Sequence, residues 1–491
     1  MSTRMAMIAL RRFGLGARPG DIAKVGNDAR GYVLASFDRR SEILLDDPDL
    51  EPSYVTFSAA MVAQQQQRLA RLISRERVLD AAQTAISTNS RIDNTERRAA
   101  AKAQRPLTEM EQKAVVQPPM QKAGRIRVEN FVDEATVRFR HQAATDAAFP
   151  ERLAMFWSNH FCVMARGPVR GIAGAYEREA IRPHVLGRFA DMLKAVEQHP
   201  AMLIYLDNQV SFGPNSQAGK NQKKGLNENL GREILELHTL GVDGGYSQTD
   251  VTNFARIITG WTVANLNTPG VAAGKFFYHA ARHEPGAWTV LGKNYPDRGM
   301  QTGLDCLEDF ARHPATARHI ARKLASHFVA DDPPSSLVAK LEKTFRDTDG
   351  NLAEVTRALV TADEAWVPEA KKLLPPVDLV IALARSLVHK TGASEMLRLS
   401  NQLGQPLWQP TSPKGFPDDD DGWTNPSALN ERLRIAEQVA RMLDKSADPR
   451  QLAEAVLGPD MHPETRQAIA RAETREQGIE LLIMSPDFQR R

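Results

Sequence analysis

Four polar side chains at helical spacing mark the first place where this chain could do chemistry. Within LNENLGREILELHTLGVDGGYSQTDVTNFARIITGW, residues 226–261, the pattern predicts a helix over 227–240 that Gly241 stops. An advance of roughly 100° per residue puts Asn229 at about 0°, Glu233 near 40° and Glu236 near −20°, with Arg232 beside them. Leu230, Ile234, Leu235, Leu237 and His238 take the opposite, apolar side. Two carboxylates one turn apart repel each other unless a cation, a proton or an arginine lies between them. Arg232, four residues before Glu236, can supply that charge. The stripe fits a metal-binding helix and equally an ordinary solvated face, and His238 reads as a core histidine.

Two other segments supply imidazoles. In LAMFWSNHFC, residues 153–162, an apolar helix is interrupted by Ser158, Asn159 and His160, polar groups that are costly to bury without partners. His279 and His283-Glu284 run into Pro285-Gly286 between strand-like flanks, so they read as part of a loop, where binding residues concentrate. His160 and His283 together with Glu233 and Glu236 make a two-histidine, two-carboxylate set suited to Zn, Mn or Fe. On this reading Glu233, Glu236 and Arg232 are catalytic, and Asn159 and Asn229 support the ligands from behind.

Other local patterns fail on spacing. Gly213 to Gly219-Lys220-Asn221 has five residues between its glycines and lacks the Ser/Thr that a phosphate-binding loop places after its Lys. Gly14-Leu-Gly16 to Gly20 is one residue too long for a dinucleotide fingerprint and reads as a turn into a helix starting near Asp21. Asp347-Thr-Asp349-Gly350-Asn351 lacks the Gly and Glu positions of a calcium loop, so it reads as a turn that caps the next helix. The run Asp418–Asp421 reads as an exposed acidic turn. HExxH, GxSxG and CxxC are all absent.

The elements that must position these residues are helical. Apolar residues recur three and four apart through 304–329, with a break at His313-Pro314, and again over 337–345, 351–362, 377–389, 428–443 and 465–484. Segments 275–279 and 287–292 are predicted to pair as one small hairpin. The 491 residues carry 63 basic and 60 acidic side chains, a net charge of +3, so no whole-protein field favours nucleic acid. Two cysteines exclude a disulfide framework. Residues 61–130 stand apart, with thirteen Lys/Arg against seven Asp/Glu and no aromatic residue. They read as a basic helical protrusion or a partly disordered insertion, and the missing aromatics argue against nucleic-acid stacking. No apolar run is long enough to span a membrane, and the arginines of the first twenty residues follow the short apolar run where a secretory signal puts charge first. The expectation is a cytoplasmic protein.

The longer motifs carry a resemblance. Ala9-Leu-Arg-Arg-Phe-Gly-Leu-Gly16, Phe156-Trp-Ser-Asn-His-Phe161, His199 to Asn208, Asn227 to Gly241, His283-Glu-Pro-Gly286, His313 to Arg318 and Gly404…Gly415-Phe-Pro…Trp423 together resemble the uncharacterised bacterial family named domain of unknown function 1800. The resemblance covers nearly the whole chain and implies one family domain over 1–491 that contains the 61–130 arm. It also implies a sulfatase-like companion protein, from a second uncharacterised family (number 1501), and an exported location for many relatives. Asn159-His160 and Arg232-Glu233…Glu236 match the family pattern as they stand, whereas His283-Glu284 replaces the His-Asp common there.

Together these features predict a mainly α fold, a large multi-helix domain with one small hairpin and a helical protrusion. Two functional readings follow. One is a metal-dependent, hydrolase-like enzyme using a divalent metal held by His160, Glu233, Glu236 and His283. The other is a non-enzymatic helical scaffold or partner protein in which the same residues form a buried ion-pair network.

Overall fold

The computed structural model describes residues 2–87, 122–222, 225–387 and 391–491. Helices carry most of it, and among these residues the strands are four segments of three residues each. One apolar cluster runs from Ala6 to Phe488 and takes in Trp157, Leu324 and Phe328, so segments distant in sequence share a core. Among the described residues no helix is long and apolar enough to cross a membrane. Of the 61–130 arm, the structure shows parts of two helices that pack together, Ser53–Ser87 and Ala123–Ala144. Residues 88–121 of that expected arm lie outside the described residues.

Several helix ends follow directly from residue chemistry. Met300–Arg312 and Pro314–Phe328 are separate helices. Pro314 suits a first turn, and the His313 ring accepts the Ala315 N–H at 3.2 Å. Ser247 and Asp250 form the predicted reciprocal cap of the Gln248–Ile257 helix, and Asn351 caps Leu352–Thr361. The stretch read as one helix over 465–484 divides into Pro463–Ala470 and Arg475–Met484, because Thr474 caps the second.

Two expectations need correction. The predicted hairpin between 275–279 and 287–292 is absent, and each segment pairs elsewhere. Strand β1 (Trp261–Val263) runs antiparallel to β2 (Phe276–Tyr278), and β3 (Trp288–Val290) to β4 (Lys293–Tyr295). Leu291 and Gly292, both at positive φ, form the two-residue turn that closes β3 on β4 locally. The helix predicted over 227–240 is shorter and irregular. Asn229–Glu233 is α-helical, and Ile234–His238 widens to a π turn that ends where the Thr239 hydroxyl donates to Ile234 O at 2.5 Å. Such π turns are often found at functional sites.

A buried ionic lattice fixes the Ala148–His160 helix. Arg182 reaches Glu151 at 2.6 and 2.8 Å and Glu177 at 2.7 Å, and Arg138 donates to Glu177 at 3.0 Å. Burial alone would raise the Glu177 carboxyl, but the two guanidiniums outweigh it and lower its pKa to about 2. Removing one partner from such a set typically costs about 3–5 kcal/mol, because the remaining charge is stranded.

Candidate functional site

A cavity of about 560 Å³ opens between the Ala148–His160 helix, the Pro314–Phe328 helix and the irregular stretch 405–419. That volume lies within the range of roughly 300–1,000 Å³ common for small-molecule sites. Phe156, Asn159 and His160 come from the first helix, and Lys323 and His327 from the second. His319, Lys323 and His327 are spaced by four, so they share one side of their helix.

Lys323 Nζ lies 3.0 Å from Nδ1 of His160. An ammonium only donates, so Nδ1 accepts and Nε2 carries the hydrogen, which it gives to the His238 carbonyl at 3.2 Å. The His238 ring places its own Nδ1 2.8 Å from Glu197 Oε1. Burial, with the nearby Lys323 charge, drives His160 well below the ordinary histidine range and takes His319 to about 4. Burial also lowers Lys323 to about 8, against the opposing pull of Asp418.

The second polar unit is a histidine–aspartate pair. His327 Nδ1 lies 2.9 and 3.0 Å from the two carboxylate oxygens of Asp418. The carboxylate accepts, so Nδ1 donates and Nε2 keeps its lone pair. Nε2 is buried without a hydrogen-bond partner among the described residues. Burial lowers His327 to about 4, against the raising effect of Asp418, so the ring is neutral near pH 7. Asp418 itself is held far below the usual carboxylate range, because His327, Lys372 and Arg491 together outweigh its burial. Behind it, Lys372 donates to the Asp418 carbonyl and pairs with Asp331. Arg152 reaches Asp378 at 2.6 Å.

Stretch 405–419 has no regular secondary structure and is tied down by side chains. Asn159 Nδ2 donates to Phe416 O at 2.9 Å, while Phe416 N donates back to Asn159 Oδ1 at 2.8 Å. Trp408 Nε1 donates to Glu177 at 2.9 Å, and Cys162 Sγ to Pro413 O at 3.2 Å. Gly415 sits at φ +87°, and a Cβ there would meet Asn159 O at 2.5 Å, so this close approach requires glycine. Trp408 holds φ +52°, a conformation costing on the order of 1–3 kcal/mol, at the cavity wall. Both cysteines are buried free thiols, and burial pushes Cys162 up to about 12, so it is a poor nucleophile.

Of the residues singled out from sequence, Asn159 and His160 line this cavity. Glu233 is half-buried, within electrostatic reach of His238 and Cys162, and burial followed by the Glu236 charge raises its pKa. Glu236 is half-buried and takes the Tyr246 hydroxyl. Arg232 pairs with Glu228 at 3.1 Å and with Gln248 at 3.0 Å, so its expected partnership with Glu236 is not what the structure shows. Asn229 is exposed. His283 lies beside Thr259 O at 3.1 Å and Asp297 at 3.2 Å, with no partner in common with His160.

The expected ligand set of His160, Glu233, Glu236 and His283 is therefore not brought together. Both nitrogens of His160 are engaged, one by an ammonium. Among the described residues no group of three or more His, Cys, Asp or Glu side chains is arranged to hold a metal ion. Asp418 also departs from expectation, since it anchors His327 where an exposed turn was predicted. Sequence reasoning passed over the His319, Lys323 and His327 stripe. The signal was present as three basic groups four apart, on a helix that also carries Arg318 and Arg322.

Residues 8–490 match the family described as "Protein of unknown function (DUF1800)". No curated protein and no solved structure matches the chain.

Proposed function

We propose that this chain, which belongs to the DUF1800 family, is a hydrolase-like enzyme that uses His327 as its general base in the 560 Å³ cavity. One observation carries the reading: His327, a cavity-lining residue, is oriented by Asp418 through Nδ1, while its buried Nε2 keeps a lone pair with no hydrogen-bond partner among the described residues. A histidine whose other nitrogen is held by a carboxylate is fixed in the tautomer that can take a proton. Nε2 accepts a proton from water, and the water oxygen bonds to the acyl carbon of an ester. The carbon–oxygen bond to the leaving alkoxide breaks, and the alkoxide recovers the proton from the imidazolium. General-base assistance of this kind contributes typically about 10²- to 10⁴-fold. Asp418 stabilises the imidazolium while it exists, against the opposing charges of Arg491 and Arg152.

The test is turnover of 4-nitrophenyl acetate, butyrate and phosphate by the full chain between pH 5 and 9. Wild-type protein is expected to turn over at least one of them, and His327→Gln and Asp418→Asn to lose about 10²-fold or more in kcat/KM. Unaltered turnover by His327→Gln, or no wild-type turnover on any ester, overturns the reading.

A further inference from the structure

We infer that the cavity takes an amphipathic anion, an apolar body carrying a carboxylate, phosphate or sulfate group that sits between Lys323 and Lys414. This rests on the enzyme reading and names the substrate class of the same cavity. The reasoning is a charge inventory of the wall. Asp378 is paired with Arg152, Asp418 with His327 and Asp331 with Lys372. Arg138 is engaged by Glu177. Asp419 at the rim accepts the Gly422 N–H at 3.0 Å and caps its own turn.

Two wall cations are left without a carboxylate within ion-pair distance among the described residues, Lys323 and Lys414. Among the described residues Lys323 has the neutral His160 as its one hydrogen-bond partner, which leaves two of its three N–H groups unclaimed there. Lys414 is exposed and has no hydrogen bond or ion pair among the described residues. Both ammoniums line this cavity, and the Lys414 charge adds a small lowering of the Lys323 pKa to the larger effect of burial, against the pull of Asp418. Like charges converging on a half-buried wall cost free energy, and an anion between them relieves that cost. The same mixed wall also contributes apolar side chains, Met155, Phe156, Val163, Leu407 and Phe416. A ligand complementary to this wall pairs a hydrophobic part with one negative group.

The experiment is calorimetric titration of the full chain with phenylphosphonate, with the neutral benzyl alcohol and with inorganic phosphate. Phenylphosphonate is expected to bind one to one and at least tenfold tighter than either of the others. Lys414→Met, at an exposed position, should fold as wild type and weaken phenylphosphonate several-fold. The Lys323→Met/Lys414→Met double variant should abolish the preference for the anion while retaining weak benzyl alcohol binding. Equal affinity for phenylphosphonate and benzyl alcohol, no phenylphosphonate binding at millimolar concentration, or wild-type affinity in the double variant each overturns the assignment. His327→Gln separates the two readings. Binding kept with turnover lost supports both, whereas turnover kept with the lysine dependence intact sinks only the hydrolase.

Discussion

Lys323 and His160 meet at 3.0 Å, Nζ to Nδ1, across 163 positions of sequence. The contact occupies the nitrogen that a metal would need and puts a charged amine where an apolar helix face would otherwise close over the core. The same helix delivers His327 to Asp418 one turn later. A pair of residues four apart thus sets both the charge and the basicity of the cavity.

Acid should unfold this protein early. Burial lowers His319 and His327 to about 4 and His160 well below its ordinary value. Between those values and about 6.5, the unfolded chain binds more protons than the folded one, so stability falls as pH drops through that window. Thermal unfolding followed from pH 7 to pH 4 should show a falling Tm, and a His319→Gln/His327→Gln variant a shallower fall. Identical slopes would show that these histidines are not buried in the neutral form.

The alkaline side carries the same sign, because the Lys323 pKa is lowered as well. Lys323 titrates at about 8 in the folded chain, against 10.5 for the free side chain. From about 8 to 10.5 the unfolded state holds the extra proton, so this group makes stability rise with pH. Lys323→Met should lose that rise and, at pH 7, gain a few degrees in Tm by removing a half-buried ammonium. The groups facing Lys323 are His160, His319, Cys162, Lys414 and Asp418, so Asp418→Asn provides the control for the sole carboxylate among them. A lower Tm in Lys323→Met would mean that the amine holds the wall together.

Stretch 405–419 should loosen when its clamp is cut. Asn159→Ala removes two hydrogen bonds to Phe416, each worth about 0.5–1.5 kcal/mol. Gly415→Ala forces a side chain onto a φ of +87° and against Asn159 O, at roughly 1–3 kcal/mol. Both variants should stay folded and show faster amide exchange over 412–418 than wild type. Unchanged exchange in Asn159→Ala would mean that Trp408 and Cys162 hold the stretch alone.

Much of the fold was legible because helix grammar is local. The break at His313-Pro314, the Ser247–Asp250 cap and the Asn351 cap all follow from residues within four positions of each other. The strands were misread because β1 lies too far along the chain from β2 for local signals to pair them, and because the Leu291-Gly292 turn closes β3 on an adjacent segment carrying few strand-forming residues. At the cavity, Asn159 and His160 stood out as polar interruptions of an apolar run. Asp418 did not, since an acidic run looks the same whether it faces solvent or a histidine 91 positions away. Glu233 and Glu236 drew attention by their spacing alone, yet the π turn from Ile234 breaks the regular advance on which that spacing argument relied.

The clamp between Asn159 and Phe416 joins groups 257 positions apart. Its closure must bring distant parts of the polymer together, and so large a separation makes that step entropically slow. During refolding from denaturant, helical content should recover first and ligand capture last, with a delay between the two. A nascent chain emerging from the ribosome therefore cannot close this cavity wall until Phe416 has been synthesised and has returned to Asn159.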